Sequence, residues 1–88
     1  MKLKEGFMLQ DLAGQWVILP YGDTCSDFTG VLTLNETGKV LWEALEAGGD
    51  KAALVKALTS EYQVTEKEAA EDVDAFLQSL RGHGCLVN

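Results

Sequence analysis

Apolar and polar positions repeat at two different periods along this chain, first near two and then near 3.6. In residues 6–12 (GFMLQDL), Phe7 and Leu9 fall on one side, and Met8 and Gln10 on the other. That alternation predicts a half-buried strand. Ala13-Gly14 reads as a tight turn, and residues 15–19 (QWVIL) return as a second strand rich in aromatic and β-branched side chains. Pro20 ends it, because proline has no ladder donor. Residues 21–30 (YGDTCSDFTG) form a polar loop dense in turn residues, with Phe28 either plugging the end of the core or anchoring a partner. Residues 31–34 (VLTL) make a third strand.

The period then changes without a linker. Val40, Leu41, Ala44 and Leu45 recur at helical spacing, so residues 36–47 predict a first helix, stopped by Gly48-Gly49. Asn35 stands at the joint as N-cap, where its side chain accepts a bond from a free first-turn N–H. Glu36 sets a negative charge against the positive end of the helix dipole. Gly38 lowers helix propensity and implies a close approach. Trp42 lies at the flank of the apolar stripe and reads as a half-buried lid on the core. A second helix covers 51–62, capped by Asp50, with Leu54, Val55, Leu58 and Tyr62 as its stripe. A third begins after Thr65, whose spacing to Glu68 makes a capping box, and runs to Arg81 before Gly82. Ala69, Ala70, Val73, Phe76, Leu77 and Leu80 share one arc of it. Cys85, Leu86 and Val87 fold back as a short strand or an apolar latch.

Three short strands followed by three helices give an α+β fold. A three-stranded antiparallel sheet of this kind needs the helices to cover its apolar face. The order is winged-helix-like. With 88 residues, the chain forms a single domain spanning 1–88.

Charge narrows the function. The net charge is −7, with −2 from residues 1–34 and −5 from the remainder. No basic excess is available to displace counterions from phosphate. No stretch approaches the roughly 20 apolar residues of a membrane span. The start, MKLKEGFML, lacks the apolar run of about 7–15 residues found in a secretion signal, so a cytoplasmic location is expected.

Chemistry is sparse. Cys25 and Cys85 are far apart and outside any metal-ligand spacing, so both read as small buried apolar residues. His83 sits between two glycines without a positioned partner and reads as an exposed loop residue. Gly48-Gly49 lacks the following Lys-Ser/Thr of a phosphate loop. Neither a catalytic set, a metal nor a cofactor is expected. What remains is a surface. In a simple meander the third strand lies at the sheet edge, and an edge exposes a row of backbone N–H and C=O groups to which an extended peptide can add.

The run FTGVLTLNETGKVLWEAL, the Gly-rich break, a second helix ending in Tyr62, a capped third helix and the terminal Gly84-Cys85-Leu86-Val87 resemble the PqqD-like family. The resemblance implies a non-catalytic recognition element. Such an element binds the leader segment of a ribosomally made precursor peptide and hands the peptide to a modifying enzyme, often a radical S-adenosylmethionine enzyme. It also implies that the leader adds beside the third strand, against the third helix. On this chain the implied peptide-binding strand is Phe28, Thr29, Gly30, Val31, Leu32, Thr33 and Leu34. The helix wall falls among Val73, Asp74, Leu77, Gln78 and Arg81.

Three rival readings fit parts of the pattern. A winged-helix DNA binder would use the third helix, but its charged residues sum to −3, opposite a polyanion. An acidic carrier protein would need an attachment serine in an Asp-Ser-Leu setting, which is missing. A self-associating module would pair the same strand edge with a second copy.

Overall fold

The computed structural model of the chain describes residues 2–22 and 32–87. Two strands, β2 (Phe7–Leu12) and β3 (Gln15–Pro20), form an antiparallel hairpin in which Phe7 faces Pro20 and Leu12 faces Gln15. The hairpin turns on Ala13 and Gly14, with φ of 55° and 84°. A two-residue turn with both residues left-handed matches the natural twist of the strands it joins. Asp11 holds it by accepting a hydrogen bond from Gly14 N at 3.1 Å.

β4 (Leu32–Leu34) pairs antiparallel with β3, placing Trp16 opposite Leu34 and Ile18 opposite Leu32. The sheet order is β2-β3-β4, so β4 is an edge strand. The predicted Val31 start of this strand lies outside the described residues, as do Phe28, Thr29, Gly30 and Cys25.

Three helices follow: α1 (Glu36–Glu46), α2 (Lys51–Glu61) and α3 (Glu66–Gly82). Each begins at a polar cap. Asn35 Oδ1 accepts from Gly38 N at 2.8 Å, and Asp50 Oδ1 accepts from Ala53 N at 2.9 Å. Thr65 and Glu68 close both halves of a capping box. Gly38 is buried, and a Cβ there would stand 3.2 Å from the Leu34 Cβ. The glycine therefore lets the first turn of α1 press against the end of β4, which fixes the angle between sheet and helices.

The alternation of the strands sends Phe7, Leu9, Trp16, Ile18, Leu32 and Leu34 to one face of the sheet. There they meet Leu41, Trp42 and Leu45 of α1, Leu54 and Leu58 of α2, and Val73, Leu77 and Leu80 of α3. Trp42 differs from its expected role. It is buried to 1% exposure at the centre of the core rather than half-buried at the rim. Its Nε1 has no hydrogen-bond partner among the described residues.

The short returning strand expected near Val87 is present as β5 (Leu86–Val87), and its partner at the start of the chain was not legible in the sequence. β1 (Lys2–Leu3) runs antiparallel to β5, and Lys4 N donates to the Cys85 carbonyl at 2.8 Å. The two ends of the chain thus clasp each other, and Cys85 is fully buried beneath the clasp. Burial pushes its thiol from 9.0 up to about 11, with Lys4 pulling weakly the other way. The neutral thiol is favoured in the fold. Its contribution is complete below pH 9 and is lost as pH rises toward 11, a swing of about 2–3 kcal/mol. Urea titrations across that window should show wild type losing more stability than Cys85→Ala. Parallel curves for the two proteins would contradict the assignment.

Candidate functional site

The joint between β4 and α1 builds one wall of an open groove of about 680 Å3. Leu32, Thr33 and Leu34 give it a strand edge. Trp16 and Gly14 come from the hairpin, Asn35, Glu36 and Gly38 from the start of α1, and Phe76 and Ser79 from α3. A second depression continues from it. The two share Asn35, Gly38 and Phe76, and the second adds Thr37, Leu41, Asp72 and Ala75. The groove therefore lies among the tip of the hairpin, the joint between β4 and α1, and one flank of α3.

The geometry of α3 follows from its period. Asp72, Ala75, Phe76 and Ser79 are spaced by three and four residues, so they form one stripe along the helix. Ala69, Val73, Leu77 and Leu80 form the adjacent stripe, and all four are buried in the core. Phe76 is half-buried at the boundary between the two, packed against the core while lining the groove.

Backbone polarity sets what the site can do. Among the described residues nothing pairs with the outer side of β4. Its neighbour β3 occupies the inner side. In an antiparallel strand, alternate residues point their N–H and C=O groups to opposite sides, so a three-residue edge still offers donors and acceptors to a guest. The apolar floor of Trp16 and Phe76 supplies contact area beside those groups. Trp16 is itself held in place. Lys39 Nζ lies 4.5 Å from the centre of its ring, and Glu43 holds the same ammonium at 3.5 Å.

The sequence-expected site residues divide. Leu32, Thr33 and Leu34 line the groove. Val73 and Leu77 point into the core at 0% and 4% exposure. Asp74 is exposed and bonded to Lys51 Nζ at 2.7 Å, facing α2. Gln78 and Arg81 are exposed and do not line the groove. The α3 residues at the groove are Phe76 and Ser79, and Trp16 joins them from the hairpin. One signal pointed to Phe76: it is the sole aromatic in the apolar arc of α3.

His83 caps the end of α3, exposed, with Nδ1 donating to the Ser79 carbonyl at 2.8 Å. Among the described residues no cluster of three or more His, Cys, Asp or Glu side chains is arranged to hold a metal ion. No helix among them is long and apolar enough to cross a membrane.

Fold and groove define a class of small α+β domains in which an unpaired sheet edge is set against a helix. The sequence matches the family of coenzyme PQQ synthesis protein D (PqqD) over residues 15–86, and the chain belongs to that family. No curated protein matches it in sequence. The structure is similar to TbiB1, solved in complex with the TbiA(beta) leader peptide, with a TM-score of 0.79 and 24% identity over 98% of this chain and 94% of that one. It is also similar to lasso peptide synthetase B1, complexed with the leader peptide, with a TM-score of 0.78 and 25% identity over 99% and 96% of the two chains.

Proposed function

We propose that this chain is a peptide-recognition module. It binds the leader segment of a ribosomally made precursor peptide as a strand added to β4. It then presents the rest of the peptide to a modifying enzyme and performs no chemistry itself. The observation that carries this reading is the groove, in which an open strand edge lies beside the apolar surfaces of Trp16 and Phe76. Main-chain bonds to the edge give affinity, and side-chain contacts with the walls give sequence preference. Two similar structures hold leader peptides, which supports the same use here. The enzyme served is proposed to be a radical S-adenosylmethionine enzyme, on the family resemblance.

The DNA-binding alternative is disfavoured by charge. Helix α3 offers Lys67 and Arg81 against Glu66, Glu68, Glu71, Asp72 and Asp74. Base readout in the major groove needs donors that this face does not supply.

The test uses synthetic leader segments of candidate precursor peptides, chosen from short peptide-coding frames beside the gene where these exist. Titration into the isotope-labelled protein should shift amide resonances of β4 and of α3 around Phe76. Phe76→Ala should weaken binding about tenfold, the loss of one large apolar contact. Shifts confined to α2, or an unchanged Kd in the variant, would refute the reading.

A further inference from the structure

The charged residues that line the groove are acidic, and one cation, Lys39, lies over the Trp16 ring. The two depressions of the groove are lined by Glu36 and Asp72, and no lysine or arginine lines either. Some acids of the chain are held in ion pairs or caps, while Glu5, Glu46, Glu61, Glu66 and Glu71 are as unpaired as Glu36 and Asp72 among the described residues. Glu43 holds Lys39, Asp74 holds Lys51, Glu68 closes a capping box, and Asp50 and Asp11 each accept a backbone bond. Glu36 and Asp72 have no ion pair or side-chain hydrogen bond among the described residues. Lys39, three residues from Glu36, lays its ammonium against Glu43 and over the Trp16 ring at the groove floor. Both free carboxylates flank the segment the depressions share, at Asn35, Gly38 and Phe76.

Two like charges beside apolar walls focus the local field more strongly than they would on an open surface. Glu36 also serves the dipole of α1 from the first helical turn, whereas Asp72, midway along α3, has no such role. A guest chain bearing a cation gains from both.

We infer that the peptide bound in this groove is a cationic one, with a Lys or Arg side chain next to its apolar anchor, received where Glu36 and Asp72 flank Phe76. The inference rests on the peptide-docking reading above and adds the charge of the guest. The net charge of −7 draws such a segment toward the protein at longer range.

The test does not require the leader to be identified first. Short random peptides displayed on their encoding RNA are selected on the full-length chain. They are selected in parallel on Phe76→Ala and on the double variant Glu36→Gln with Asp72→Lys. The double variant keeps a cation away from the first turn of α1, so the helix start is spared. Peptides enriched on wild type should carry Lys or Arg near an apolar residue and should fail to enrich on Phe76→Ala. The double variant should reverse the preference toward Asp or Glu. Replacing the selected cation with Gln should weaken binding about two- to fivefold, the range for a partly exposed charge pair. Rising salt should weaken the wild-type complex by the same route. Groove-dependent peptides without a charge bias, or with a bias that the double variant leaves unchanged, would overturn the inference and leave the docking reading standing. No enrichment on wild type, or enrichment indifferent to Phe76→Ala, would overturn both.

Discussion

Proline in β4 abolishes docking of a leader peptide where the amide it removes is the one facing the open edge, and position 33 is the first to test. Thr33 is exposed while Leu32 and Leu34 are buried, so its side chain contributes little to the core. A Thr33→Pro change therefore acts through the backbone. It removes one N–H, and its ring crowds the neighbouring chain. The N–H groups of Thr33 and Leu34 point to opposite sides of the strand. One bonds to β3 and the other faces the open edge. Replacing each amide separately by an ester, through semisynthesis, resolves which is which. The ester on the inner side should lower the melting temperature and spare affinity. The ester on the outer side should spare the fold and raise Kd by up to about tenfold, the worth of one net hydrogen bond. Proline at the outward position should do more, because the steric block adds to the missing donor. Val31, outside the described residues, is two positions from Thr33, and Val31→Pro is expected to behave like Thr33→Pro. Strand addition is wrong if all these proteins fold and bind a cognate leader as wild type does.

How much of this was legible in the sequence depends on the length of each signal. Phe7 to Leu12 and Gln15 to Pro20 each supply enough alternating positions to mark a strand, and Ala13-Gly14 marks the turn between them. Asn35, Asp50 and Thr65 each stand before an apolar helical stripe, and each caps a helix in the structure. The apolar run at Leu86 and Val87 reads as a returning strand, but two-residue strands offer no period, so its partner, Lys2 and Leu3, was not readable. The groove face of α3 was left open by the sequence for a different reason. An apolar arc tells which side of a helix is buried, but its two margins look alike in sequence. Val73 and Leu77 belong to the middle of that arc, and Phe76 to the margin that meets β4. Only the packing of α3 across the sheet distinguishes that margin from the one facing α2, where Asp74 meets Lys51. An edge strand and a helix were therefore readable as the candidate walls of a groove. The residues of the helix that line it were set by tertiary contacts that no local pattern records.

Trp42 separates the support of the fold from the function it carries. It lies at the centre of the core, at 1% exposure, and lines none of the groove. Truncating it leaves a large cavity, and Trp42→Ala should cost about 3–5 kcal/mol. A small domain has only about 5–15 kcal/mol in total, so this variant should melt at least about 15 °C lower or fail to fold. Trp42→Phe is the informative partner. It removes an indole N–H that is buried without a partner among the described residues, a group whose desolvation costs about 1–3 kcal/mol. Against that gain, the smaller ring leaves a modest void costing about 1 kcal/mol. The two effects nearly cancel, so Trp42→Phe should stay within about 1 kcal/mol of wild type in urea titrations and bind a leader with unchanged Kd. A Trp42→Phe protein as unstable as Trp42→Ala would mean that the N–H is satisfied. A folded Trp42→Phe protein with weakened binding would mean that the core reshapes the groove, and that packing and docking in this domain are coupled rather than separate.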